Sequence, residues 1–294
     1  MEALIDHDVE PIVVDLESIA DGGLSISNDA RTVRVEGRSV DFGQARAGWI
    51  RRVHRADWGL AVATGSLEAL ELGTWYSAFS WLIDSAKFNW ITAPRALSLA
   101  ESKLTQWTTA VELGIPHPRT LLTSSWEEVA RSFDDEIVVK PLGSGQFLAG
   151  GQTHTVYAEA MMPNDDRLHA LTLAPFIVQE RLHASRHLRV VTVADRVWVG
   201  ALNVERTAPV DWREVLVNHS AFEEVQDVPH LVQDGSVAIA KRLGLGYSSQ
   251  DWVETKDGQA TLLDVNPAGQ WLFLPETIGA AVASAIAQQL VQLQ

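Results

Sequence analysis

Residues 262–271 read Leu262-Leu263-Asp264-Val265-Asn266-Pro267-Ala268-Gly269-Gln270-Trp271. An apolar run that ends in Asn-Pro is a strand entering a turn. Side chains alternate along a strand with a period of two, so Asp264 and Asn266 share a face. A carboxylate and a carboxamide oxygen side by side suit a hard cation such as Mg²⁺. Upstream, residues 251–254 and 260–265 flank Lys256-Asp257-Gly258 as the arms of a hairpin, which sets Asp251 on the partner strand. Three oxygen donors on two paired strands make a magnesium clamp with room for phosphate oxygens. The alternative is a polar strand end whose Asn-Pro only starts a turn.

Further upstream, Ile137-Val138-Val139-Lys140-Pro141 is a buried strand leading into a glycine-rich segment, Leu142 to Gly151, which contains Ser144 and Gly145. Glycine lets backbone N–H groups approach a polyphosphate, and the lysine adds a point charge. The lysine precedes the glycines, so this is not a Walker motif. By itself the segment fits an ordinary glycine-rich hairpin loop better than a phosphate cradle. Between these two elements, Ile177-Val178-Gln179-Glu180-Arg181-Leu182 is an apolar strand ending in polar groups. Such a strand end can offer backbone groups to an adenine edge, with Glu180 binding its amino group. His183 and His187 are four apart, but they sit in a turn with no supporting motif and read as structural or surface histidines, not a zinc site.

Around these motifs the pattern is α+β and not regularly alternating. Short strands are expected at residues 12–14 and 32–35, and a helix over 67–87 whose tryptophans pack in the core. A second helix, over 96–113, closes at Gly114. A short helix over 126–133 and strands at 155–157, 176–179, 188–194 and 197–204 follow. Helices over 232–243 and 278–293 complete the chain. There is no internal repeat or low-complexity linker.

The 294 residues carry 23 basic and 38 acidic side chains, a formal charge of −15, which argues against a nucleic-acid footprint. No cysteine is present, which removes disulfides, thiol nucleophiles and Cys-zinc or Fe–S sites. Residues 1–10 (MEALIDHDVE) lack the features of a signal peptide, and no apolar run approaches membrane-spanning length. A cytoplasmic protein is expected. Only five lysines occur, at 87, 103, 140, 241 and 256, so the place of each is informative.

In this order the elements resemble the ATP-grasp superfamily, whose members hold ATP between two α+β subdomains and activate a carboxylate as an acyl phosphate. The resemblance implies a unit at 1–95 preceding the ATP-grasp core, a central subdomain at 96–178 and a C-terminal subdomain at 179–294. Lys103, ahead of Gly114-Ile115-Pro116, and Lys140 match the phosphate lysines. Gln179, Glu180, Arg181 and Leu182 match the adenine hinge, and Leu263 the apolar residue beneath adenine. Arg189 matches the phosphate arginine, and Asp251, Asp264 and Asn266 the magnesium ligands. Residues 49–52 (WIRR), 90–103, 211–213 (DWR) and 266–271 (NPAGQW) are similar to the microviridin-type, or graspetide, ribosomal-peptide macrocyclases. Three departures stand out. The strand with which the family opens, ahead of the helix that residues 1–8 would match, is missing, His187 replaces a frequent acidic residue, and Asp264 stands where Glu is common.

The resemblance implies ATP and Mg²⁺ as cofactors and, as partner, a precursor peptide with acidic and Ser/Thr/Lys core residues. A side-chain carboxylate is phosphorylated, then attacked by a hydroxyl or amine of the same peptide. Arg213 and Arg206 are the candidates to clamp the carboxylate, and Glu205 and Asp211 the candidate bases. Lys103, Lys140, Arg181, Arg189 and Arg213 are expected to converge on one cleft. A RimK-like or glutathione-synthetase-like carboxylate–amine ligase and a degenerate ATP-binding scaffold are the alternatives. The chain acts alone or as a homodimer.

Overall fold

Ile137-Val138-Val139 and Phe176-Ile177-Val178 are apolar runs buried at every residue, so the two segments pair as strands covered on both faces. The computed structural model describes residues 2–5, 9, 11–14, 25–26, 32–35, 38–41, 43–51, 62–85, 87–143, 145–171, 174–204, 209–215 and 220–293. In chain order the strands are β1 (Thr32–Val35), β2 (Arg38–Asp41), β3 (Ala47–Gly48), β4 (Asn89–Trp90), β5 (Thr120–Thr123), β6 (Ile137–Pro141), β7 (Gln146–Ala149) and β8 (Gln152–Thr155). They continue with β9 (Glu159–Met161), β10 (Phe176–Glu180), β11 (Ala184–Val193), β12 (Arg196–Asn203), β13 (Glu223–Glu224), β14 (Tyr247–Thr255) and β15 (Ala260–Asn266). The helices are α1 (Glu2–Ile5), α2 (Leu67–Ser85), α3 (Pro94–Ala100), α4 (Lys103–Leu113), α5 (Trp126–Ser132), α6 (Leu168–Leu171), α7 (His230–Arg242) and α8 (Glu276–Gln292).

Two sheets organise the molecule. A four-stranded antiparallel sheet, β5-β10-β6-β9, packs Ile137, Val139, Phe176 and Val178 against Val129 and Phe133 of the α5 region. A five-stranded antiparallel sheet, β13-β12-β11-β14-β15, is covered on both faces. Leu188 and Val190 of β11 join a core with Val232 and Ile239 of α7, while Val191 and Val193 join one with Ile278 and Val282 of α8. Trp252 is completely buried in the first core. Substituting it by Ala would cost about 3–5 kcal/mol.

Three sequence expectations are corrected. The helix expected over 96–113 is two helices, α3 and α4. Ser102 takes extended geometry between them, and its hydroxyl accepts from Thr105 N, making it the N-cap of α4. The break puts Lys103 in the first turn of α4. The strand expected at 155–157 lies upstream, as β8, because the glycine-rich segment folds into the β7–β8 hairpin around Gly150-Gly151, both at positive φ. Residues 11–14 form no strand. The helix expected over 67–87 is present as α2, but its tryptophans do not all pack in the core: Phe79 and Leu82 are buried, whereas Trp81 and Leu70 are exposed.

Candidate nucleotide and metal site

The hairpin of β14 and β15 sets Asp251 opposite Asp264 and Ser249 opposite Asn266, with a register shift just after Asp251. Asp264 and Asn266 therefore share a face, and Asp251 joins them from the neighbouring strand. Facing this group is β6, whose Lys140 pairs in register with Ile177. Lys103 Nζ donates to Pro141 O at 2.9 Å, tying α4 to the end of β6. Both lysines, Gly143 and Gly145, the three oxygen donors and residues 179–183 line one cleft of about 2100 Å³. That is larger than a single small-molecule site of several hundred Å³.

The electrostatics fit two opposed charge groups. Burial raises the Asp264 carboxyl above its ordinary range, and Asp251 raises it further, while Lys103, Lys140 and Arg213 work against the shift. Burial lowers the Lys140 ammonium, as does Lys103, with Asp264 opposing. Asp251 and Asp264, beside a carboxamide oxygen, form an all-oxygen donor set that a hard cation satisfies. Among the described residues no group of three or more His, Asp or Glu gathers as a metal site.

Other expected residues are placed as follows. Arg189 does not line the cleft. It is 7 % exposed and lies behind Asp251, with Nη1 donating to Asp251 Oδ1 at 2.7 Å and Nη2 and Nε donating to Gln270 O at 3.0 and 3.3 Å. Arg213 lines the cleft, and its Nε and Nη2 donate to Asp211 at 2.7 and 2.5 Å. Asp211 is buried and also caps the short 3₁₀ turn Trp212–Glu214. Burial pulls the Asp211 carboxyl up, but its bonds to Arg213 outweigh this and hold it below its ordinary value.

At the hinge, Gln179 Nε2 donates to Thr120 Oγ1 at 3.1 Å, and Glu180 Oε1 accepts from Arg119 N at 2.8 Å. Arg181 pairs with Glu136 at 2.6 Å and lines the cleft. Leu182 and Leu263 line the cleft. His187 also lines it, and burial lowers the imidazole pKa against the opposing pull of Asp251 and Asp211. Ser144, Glu205, Arg206 and Arg52 lie outside the described residues.

The sequence reading passed over the donors that fix the turn after Asn266. Tyr247 Oη donates to Gly269 O at 2.6 Å, and burial pushes the phenol up to about 12, so it stays a donor at neutral pH. A Cβ on Gly269 would meet Ser249 Cβ at 2.5 Å and Asn266 Cβ at 3.1 Å. A glycine two places past an Asn-Pro pair was the one available signal.

No family model matches the chain, and no curated protein matches it in sequence. Solved structures do match over nearly its whole length. Macrocyclase MdnC from Microcystis aeruginosa MRC, bound with precursor peptide MdnA, aligns at TM-score 0.82 and 19 % identity, over 99 % of this chain and 94 % of that one. The Chryseobacterium gregarium RiPP-associated ATP-grasp ligase aligns at TM-score 0.86 and 16 % identity, over 100 % and 92 %. D-alanyl-alanine synthetase A from Vibrio cholerae O1 is more distant, at TM-score 0.58 and 17 % identity over 92 % and 82 %. The chain therefore has the ATP-grasp fold.

Proposed function

We propose that the chain is an ATP- and Mg²⁺-dependent ligase that closes ester or amide rings in a ribosomal precursor peptide. The carrying observation is the single cleft in which Lys103 and Lys140 face Asp251, Asp264 and Asn266, with Arg213 along the same wall. The neighbours support the same reading. The C. gregarium ligase was solved with ADP, a leader and a core peptide, and the ATP-grasp ligase PsnB with a minimal precursor, Mg and ADP.

In this reading residues 1–95 precede an ATP-grasp core divided at 178/179, and the hinge Gln179–Leu182 with Leu263 holds adenine. Lys103 and Lys140 hold the phosphates, aided by backbone N–H groups of the Ser144-Gly145 segment. Asp251, Asp264 and Asn266 would hold Mg²⁺, which when bound offsets phosphate charge. Arg213, oriented by Asp211, clamps the incoming Asp or Glu carboxylate, aided by Arg206. A carboxylate oxygen takes the γ-phosphoryl group as ADP leaves. A Ser, Thr or Lys side chain then attacks the acyl carbon, phosphate departs, and the nucleophile's proton is released. The cleft residues act by positioning and charge compensation. With no cysteine in the chain, activation runs through the acyl phosphate. Arg189 acts in this scheme by fixing Asp251.

Among the described residues no helix is long and apolar enough to cross a membrane. We place the protein in the cytoplasm, where ATP and a newly made peptide meet.

Incubation with ATP, Mg²⁺ and an acidic Thr/Ser/Lys-containing peptide, followed by intact mass and tandem mass spectrometry, tests the reading. One water lost per link from a single peptide is expected. Joining of two molecules would favour a carboxylate–amine ligase, and ATP binding with no covalent product would leave a scaffold.

A further inference from the structure

Three successive carbonyls in the turn that follows Asn266-Pro267 are each held by a side-chain donor. Gly269 O is held by Tyr247 at 2.6 Å. Gln270 O is held by Arg189 at 3.0 and 3.3 Å and by Ser249 Oγ at 3.3 Å. Ala268 O accepts from Arg51 Nη1, 217 positions away in sequence. Tyr247, Ser249 and Arg189 belong to β14 and β11, the strands that carry and brace Asp251, so they move with the metal site. Arg51 does not.

Arg51 follows β3, which pairs in parallel with β4, and Ile91 N continues the ladder by donating to Gly48 O at 2.9 Å. This small platform is tied to the C-terminal region at two other points. Thr92 Oγ1 accepts from Gly246 N at 3.1 Å, and Asn89 Nδ2 donates to Leu293 O at 2.9 Å. From there the Arg51 guanidinium reaches Ala268 O and also lies 5.3 Å from the centre of the Trp271 ring. One planar cation thus touches the turn at residue 268 and again at residue 271.

The contact bears on the metal donors because the carboxamide takes its orientation from the same residue. Asn266 Oδ1 accepts from Ala268 N at 3.0 Å, and Gly269 N donates to Asn266 O at 3.3 Å. Where residue 268 goes, the Asn266 carboxamide follows. We propose that Arg51 is a positioning residue for this turn: by holding Ala268 O it keeps the Asn266 oxygen beside Asp264, making cation binding depend on the seating of residues 47–51. Arg51 touches no reacting atom in this scheme. The inference rests on the nucleotide reading given under the proposed function.

Calorimetric titration with ADP, once in Mg²⁺ and once in EDTA, separates the roles. The unaltered protein should bind ADP more tightly with Mg²⁺, and Asp264→Ala should lose that gain. Arg51→Met should lose about tenfold of the Mg²⁺-dependent gain, while its affinity in EDTA stays within about twofold of the unaltered protein. Arg51→Lys keeps a donor for Ala268 O without the plane for Trp271, and should restore part of the gain. A merely structural role would lower affinity in Mg²⁺ and EDTA alike, with no rescue by Lys, and that result overturns the proposal. So does a full Mg²⁺ gain in Arg51→Met. If Arg51→Met does not fold, Arg51→Gln, too short to reach Ala268 O, is judged by the same two comparisons. Absence of any ADP binding by the unaltered protein rejects the ligase reading and this role with it, whereas a gain that survives in the variant rejects the role alone.

Discussion

Arg189 and Asp251 stand opposite each other on β11 and β14, with Nη1 2.7 Å from Oδ1, and the same guanidinium reaches Gln270 O. The arginine is almost fully buried, and the pair therefore differs from a surface ion pair worth little. Removing one partner leaves the other charge uncompensated in a poorly solvated place.

Arg189→Met should therefore destabilise the fold by about 3 kcal/mol. It strands the Asp251 carboxylate and leaves Ser249 Oγ to hold the Gln270 carbonyl. Urea unfolding of the single variant, of Asp251→Asn and of the double variant tests this. The double variant should be more stable than the sum of the single losses predicts, and strict additivity would show that the pair is not coupled.

Asp264→Asn is expected to abolish turnover yet stabilise the protein when no nucleotide or metal is bound. Burial and Asp251 raise the Asp264 carboxyl, so the folded state holds its charge at a cost that the unfolded chain does not bear. For such a group stability falls as pH rises through its ordinary range, and replacing it removes that loss at neutral pH. Differential scanning fluorimetry at pH 7.5 should show a melting point higher by about 2 °C. A lower melting point would contradict the electrostatic account of this carboxylate.

Asp211 shifts the opposite way. Its folded pKa is depressed, so its contribution is complete above the ordinary carboxylate value and disappears as pH falls below about 4. Asp211→Asn should flatten the acid side of the stability–pH curve. It should also release the Arg213 fork and raise KM for the peptide more than it lowers kcat. Equal acid sensitivity in variant and parent would remove Asp211 from this role.

Gly269→Ala should cost more than a hundredfold in activity, because the added methyl meets Ser249 and Asn266 inside ordinary contact distance. Gly150→Ala, at positive φ but with open space around its Cβ, should lose only about 1 kcal/mol of stability. Steady-state rates and melting points of the two variants check the contrast.

Much of this was legible in the sequence because it is local. Strand periodicity alone places Asp264 and Asn266 on one face, and the Lys-Asp-Gly turn brings Asp251 beside them. The reading failed where tertiary partners decide. A cap at Ser102 splits an apparently continuous helical pattern, and the glycine-rich run pairs with itself, moving β8 upstream. The sequence could not show that Arg189 pairs with Asp251 and Arg181 with Glu136, because both carboxylates are distant in the chain. The sequence did not pair the donors to Ala268, Gly269 and Gln270 with their acceptors. Arg51 lies more than two hundred positions from its acceptor, and a lone Tyr or Ser in a strand looks like any other.

That separation has a consequence for the life of the chain on the ribosome. A polypeptide emerges from its N-terminus, so Arg51 is made early and must wait for residue 268 to leave the exit tunnel before its partner exists. Closing so long a loop is slow compared with forming the β14–β15 hairpin beside it. Competence should arrive last, in one step, after the local pieces have folded. Prematurely terminated products would then carry both lysines and a folded central sheet, yet no working centre.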